Sequence, residues 1–123
     1  MTTTISGSNG IVFPDATSMQ TGQQAVKAWV NFNGKGTVAI RASYNVSSIT
    51  DNAVGAYTVN FTTAMVDGNY CVLGLGGDNA IDLINVSQPV LVSPPQTGSV
   101  PVNITFANSN PYDAPSVHVA ILR

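Results

Sequence analysis

The chain holds one tryptophan, one histidine and one cysteine: Trp29, His118 and Cys71. A thiol beside an imidazole could act as an activated nucleophile, but no base lies near Cys71 in sequence. It sits in the apolar run Tyr70-Cys71-Val72-Leu73 and reads as a small buried hydrophobe. Being alone, it also forms no intrachain disulfide. His118 has no Cys or His at metal-ligand spacing, and reads as a hydrogen-bonded surface or interface histidine. Trp29 stands on the polar side of its segment with Lys27, Asn31 and Asn33. Such a ring either packs against a sheet or another subunit, the favoured reading, or offers a platform for a sugar ring, with Asn31 beside it.

Two loops carry further candidates. Tyr112 lies in the proline-bounded Asn110-Pro111-Tyr112-Asp113-Ala114-Pro115, which reads as an ordinary hairpin loop first and a ligand contact second. Gly76-Gly77-Asp78-Asn79-Ala80-Ile81-Asp82 places oxygen ligands close together as a Ca²⁺ loop would. Asp and Asn are equally the usual residues of turns, and the spacing is not that of an EF-hand, so no metal is assigned. Six aspartates and no glutamate supply no carboxylate pair marked out by context. A nucleophile elbow and a P-loop are both missing. The expectation is a protein that is not an enzyme and uses no cofactor.

Composition narrows the partners. Charged residues make up 8% of the chain, against roughly 25% in an average globular protein. Net charge is −2 with only four Lys and Arg, which argues against a phosphate-tracking groove and hence against nucleic acid. No apolar run approaches the ~18 residues of a membrane span, and Met1 to Gly7 reads as lacking a signal peptide. Asn, Thr, Ser, Gly and Val dominate, a bias toward strands with amide and hydroxyl surfaces. The four Asn-x-Ser/Thr sequons, at Asn45, Asn60, Asn85 and Asn103, follow from that same bias.

Hydrophobic alternation of period two supplies the elements that position these residues. Val26, Ala28, Val30 and Phe32 share one face, and Gly34-Lys35-Gly36 turns the chain. From Thr37 to Ser47, Val38, Ile40, Ala42, Tyr44 and Val46 share the next. A turn around Asp51-Asn52 and Gly55 precedes Tyr57, Val59 and Phe61. Tyr70 to Leu75, Ile81 to Val86 and Val90 to Val92 are apolar on both faces and read as buried strand. Val100, Val102, Ile104 and Phe106 alternate, as do Val117, Val119 and Ile121; Pro101 points to an edge or a strand start. No segment has a helical period. The sum predicts an all-β, antiparallel β-sandwich of about seven or eight strands, jelly-roll-like, over residues 25–123.

Residues 1–24 do not fit the sandwich. Ile5, Ile11, Val12, Phe13 and Met19 are broken up by Gly7, Gly10, Pro14 and Gly22. Burying one such side chain is worth roughly 1.5–3 kcal/mol, which a lone short segment cannot collect. The segment is predicted to be an extended arm for assembly and attachment.

The run from Lys27 to Asn52, Lys27-Ala28-Trp29-Val30-Asn31-Phe32-Asn33-Gly34-Lys35-Gly36-Thr37 onward, continues with Gly55-Ala56-Tyr57-Thr58-Val59-Asn60-Phe61-Thr62-Thr63-Ala64-Met65. It resembles a module of tailed-bacteriophage structural proteins, usually the C-terminal knob of tail-fibre-like chains. Asn9 to Thr21 looks like the short lead-in that precedes such modules. The resemblance covers residues 27 to about 70 and leaves the rest of the domain unmatched. It implies a homotrimer located on the virion, in contact with other capsid or tail proteins, and with host surface glycan as a possible partner. A short tail fibre or receptor-binding tip is the leading role. A capsid decoration (cement) protein is the alternative, because there is almost no shaft before the knob. A monomeric carbohydrate-binding module is the rival from another class.

Overall fold

The structure is a computed structural model that describes residues 4–6, 10–12, 14, 18–19, 26–78, 84–87, 95–106 and 108–123. Every regular element among them is a strand: β1 (Thr4–Ser6), β2 (Gly10–Val12), β3 (Ser18–Met19), β4 (Val26–Asn33), β5 (Ala39–Tyr44), β6 (Val46–Ala53), β7 (Ala56–Phe61), β8 (Cys71–Gly77), β9 (Ile84–Ser87), β10 (Ser99–Phe106) and β11 (Ser116–Leu122). Among the described residues no helix is long and apolar enough to cross a membrane.

Two four-stranded antiparallel sheets carry the core, in the orders β5-β4-β11-β8 and β6-β7-β10-β9. The strictly alternating segments give their apolar set to the interior, as a half-buried strand must. Ala28, Val30 and Phe32 from β4 and Val117, Val119 and Ile121 from β11 are buried. So are Tyr57, Val59 and Phe61 from β7, and Val100, Val102 and Ile104 from β10. These rows make one core between the sheets, closed by the edge-to-face pairs Phe32–Tyr57 (5.2 Å) and Phe61–Tyr70 (6.0 Å). The fold is thus an all-β, two-sheet sandwich of eight strands.

Several local expectations change. The alternating run Thr37–Ser47 is not one strand. It ends as β5 at Tyr44 and restarts as β6 at Val46 in the other sheet. Asn45 makes the crossing with a φ of 53°. Its Nδ2 donates to the carbonyls of Lys27 (3.0 Å) and Thr63 (3.1 Å), and its Oδ1 accepts from the Thr63 amide (2.7 Å). Nor do the apolar residues of that run share one face. A bulge at Arg41 sets Ile40 opposite inward Phe32 but Ala42 and Tyr44 opposite outward Asn31 and Trp29, and both Ile40, on the sheet edge, and Tyr44 are exposed. The next turn falls at Val54-Gly55, with Asp51 and Asn52 still inside β6. Pro101 is not at an edge: β10 lies between β7 and β9. It does sit ahead of Asn103, where pairing with β9 begins, so its missing N–H costs the described β9 ladder nothing.

One end of the sandwich is sewn together by Tyr57 and Asp113. The Tyr57 hydroxyl donates to the Asp113 carboxylate (2.8 Å) and lies 2.8 Å from the Gly34 carbonyl. Asp113 also accepts from the Gly55 amide (2.7 Å), and the Gly34 amide donates to the Ala114 carbonyl (2.9 Å). Two glycines are required here. A Cβ at Gly34 would fall 2.6 Å from the Tyr57 hydroxyl, and Gly55 has a φ of 67° with its backbone against the Ile104 carbonyl.

The N-terminal residues form a small antiparallel sheet of their own, β1-β2-β3, with Ile5 opposite Ile11 and Ile11 opposite Met19. Ile5 is 81% exposed and Val12 partly buried. Phe13 lies outside the described residues, and for Ile11 and Met19 only the strand pairing is described.

Two outcomes follow. Asn45→Ala loses three hydrogen bonds and strains a left-handed residue, so it should cost about 2–3 kcal/mol in urea unfolding. Asn45→Gly keeps the dihedral without strain and should lose about 1 kcal/mol less; equal losses would refute the dihedral's part in the crossing. Burial, followed by the Asp113 hydrogen bond and charge, pushes the Tyr57 hydroxyl above the ordinary tyrosine range, and burial pushes Tyr70 up to about 12. Folded values above unfolded ones mean that this stability is complete below pH ~10 and is lost as the pH rises. Unfolding free energies should therefore fall as the pH rises from about 10 toward about 12, and Tyr57→Phe should make that slope shallower.

Candidate functional site

Each strand of a sandwich has an outer face as well as an inner one, and here the two sheets differ. On β6, β7 and β10 the described outward positions are mostly polar. The Asn60 amide donates to Ser48 (3.1 Å) and Thr50 (3.0 Å), and Asn52 donates to Thr58 (2.9 Å). This surface satisfies itself and suits water.

On β5-β4-β11-β8 the outward positions form two cross-strand rows. One runs Tyr44, Trp29, Ala120, Leu73; the other runs Ala42, Asn31, His118, Leu75. Leu75 is 65% exposed, Tyr44 58%, Leu73 57% and Trp29 40%. Large apolar side chains gathered on an exposed face in this way mark an interaction surface. The small Ala120 between Trp29 and Leu73 leaves a hollow, part of a groove of about 430 Å³ lined by Trp29, Asn31, Leu73, Gly74, His118 and Ala120. Leu75 and His118 also border a second, more polar hollow of about 400 Å³ with Arg41, Asp78 and Ser116. Arg41 is tied down there, donating to the Pro115 carbonyl (2.6 Å) and reaching Asn31 Oδ1 (3.4 Å). Ser116 Oγ lies 3.3 Å from His118 Nε2.

Trp29 and Asn31 are therefore brought together, on an outer face as their alternation implies. Tyr112 does not join them. Its ring packs on Phe106 (centroids 4.4 Å apart), its amide donates to the Ile104 carbonyl, and its hydroxyl donates to Asp78. It lines neither hollow, and works as a strut between the loop and the end of β8. His118 is exposed on its strand, in keeping with the surface reading.

Cys71 corrects the sequence reading: it is exposed, opposite Leu122 on the outer side of β8. The same correction covers Leu73 and Leu75, which belong to a run that reads as buried on both faces. The signal that finds them is parity. In Cys71-Val72-Leu73-Gly74-Leu75-Gly76-Gly77 the inward positions Gly74 and Gly76 oppose buried Val119 and Val117, so the inner side is the one with little side-chain volume. The large residues take the outer parity, leaving Leu73 and Leu75 beside Trp29.

Of the proposed Ca²⁺ loop, residues 79–82 lie outside the described residues, and the Asp78 carboxylate accepts from Tyr112. Among the described residues no three His, Cys, Asp or Glu side chains gather as metal ligands would. At the other end of β11, Arg123 clamps Asp67 through two hydrogen bonds (2.7 and 3.2 Å), which hold the carboxyl below its usual range. A surface pair of this kind fixes the strand end more than it stabilises the fold.

No family model, curated protein or solved structure matches this chain.

The Tyr112 contact is testable by ultraviolet titration. The hydrogen bond to Asp78 raises the Tyr112 hydroxyl above its ordinary value. Asp78→Asn removes the carboxylate, so one tyrosine should ionise at lower pH than in the parent. A titration unchanged by the substitution would show that the contact is not formed in solution.

Proposed function

We propose that this chain is a non-enzymatic structural protein of a tailed-bacteriophage virion, a trimeric surface knob acting as a short tail fibre or receptor-binding tip. The observation that carries the reading is the one-sided sandwich. One sheet presents a self-satisfied polar surface and the other a broad apolar one, the arrangement of a subunit built to be covered on one side. The likeness of residues 27–70 to the tail-fibre-like knob module supplies the virion location.

The strand order supports a jelly-roll-like arrangement. With β4, β7, β8, β9, β10 and β11 taken as strands one to four and the last two of that fold, first, last and third are neighbours in one sheet. Second, next-to-last and fourth are neighbours in the other. Among the described residues no strand answers to the central fifth and sixth, Val90 to Val92 lying outside them, and β5 and β6 add an edge to each sheet. Jelly rolls recur in viral capsid and lectin domains, so this order fits a virion part without fixing its position.

The 1–24 arm, with its three short strands and exposed Ile5, is read as the second element of assembly and attachment. Its partners would be the other copies and the capsid or tail proteins beneath them.

Light scattering on the purified full-length chain should give three times the chain mass. A chain lacking residues 1–24 should release monomer on dilution. An antibody to the chain should label particles of the encoding phage at the tail tip; label over the capsid would move the protein to the decoration role. Particles without label would end the virion reading.

A further inference from the structure

We infer that the outer face of the β5-β4-β11-β8 sheet is where copies of this chain pack on one another, the neighbour's apolar side chains seated in the groove beside Trp29. The inference rests on the trimeric reading and names the surface and the partner.

Three features point to a second copy as the occupant. The first is charge. The two central rows contain no acidic or permanently charged side chain, only Tyr44, Trp29, Ala120 and Leu73, and Ala42, Asn31, His118 and Leu75. Two cations stand at opposite margins: Lys27 beyond Trp29, beside Tyr44, and Arg41 already bonded to the Pro115 carbonyl, with Asp78 beside it accepting from Tyr112. A strongly charged partner finds no countercharge here, whereas a copy of the same face meets no like-charge repulsion.

The second is shape. The face carries both halves of a knob-and-hollow fit. Ala120 floors a hollow between Trp29 and Leu73, while Tyr44, on the opposite edge strand, stands 58% exposed. A knob on one edge and a hollow toward the other suit a head-to-tail contact, the kind that closes into a ring when the rotation is right.

The third is area. Four strands spaced about 4.8 Å apart and about seven residues long give a flat face on the order of 450 Å². A standard interface takes about 800 Å² from each partner. In a head-to-tail ring each copy shares this face between two neighbours, so the face supplies about a quarter of each interface, and the arm has a place in supplying the rest.

The test uses the full-length chain and reads three quantities: mass by sedimentation, Trp29 emission, and the rate at which Cys71, at the border of the face, reacts with a maleimide. Leu73→Ser/Leu75→Ser is the main variant, Tyr44→Ser is the second, and Asn103→Lys on the polar sheet is the control. Circular dichroism checks that each is folded. Both face variants should dissociate at concentrations at least about tenfold higher than the parent. Their tryptophan emission should shift to the red and Cys71 should react faster, while the control stays with the parent. A folded Leu73→Ser/Leu75→Ser or Tyr44→Ser protein that associates like the parent would overturn the inference and leave the trimer standing. A parent chain that is monomeric at every concentration would overturn both.

Discussion

A strand in a two-sheet sandwich can turn only one of its faces inward, because successive side chains point to opposite sides. The interior of this protein is filled by one parity of β4, β7, β10 and β11. Whatever occupies the other parity must meet water or another molecule. On one sheet the described positions of that second parity are mostly threonine, serine and asparagine, and the amides bridge the hydroxyls. On the other it is mainly tryptophan, leucine, tyrosine and alanine, with Asn31 and His118 set among them. The difference between these two outer faces, rather than any cleft or charged cluster, is what gives the molecule a direction and its most informative surface.

The devices that hold the sandwich are polar and few. Asn45 carries the chain from one sheet to the other, and the Tyr57–Asp113 pair ties the turns at Gly34 and Gly55 to the loop before β11. Both use side chains that satisfy backbone groups. They fix geometry in places where apolar packing, being non-directional, cannot. Tyr112 belongs with them, since its ring and hydroxyl are both spent on Phe106 and Asp78.

Much of this was legible beforehand wherever alternation was strict. The inward sets of β4, β7, β10 and β11 could be read from the residues, and so could the outward position of Trp29 and Asn31. Where alternation failed, so did the reading. Cys71 to Leu75 looks buried because nothing polar marks an outer side, yet Gly74 takes the inward parity opposite Val119 and the leucines the outward one. The Thr37–Ser47 run alternates without a break, and its division at Asn45 depends on a backbone angle that asparagine tolerates but does not announce. The aromatic of the Pro111-Tyr112 loop could be found in the sequence, but its inward contacts depend on where Phe106 and Asp78 arrive from distant strands.

The pairing of β4 with β11 joins Ala28 to Ile121, residues about 90 positions apart, and bringing such distant segments together is what slows β-sandwich folding. The hairpins β4–β5, β6–β7 and β9–β10 can form locally, but the β5-β4-β11-β8 sheet lacks its central strand until this long closure is made. Throughout that delay β4 exposes both its faces, the future core row and the Trp29 row together. The same apolar side chains that give the finished sheet its outer face make the half-folded form adhesive. Yield in a cell will then depend on how fast β11 arrives, which temperature and expression rate control more than final stability does.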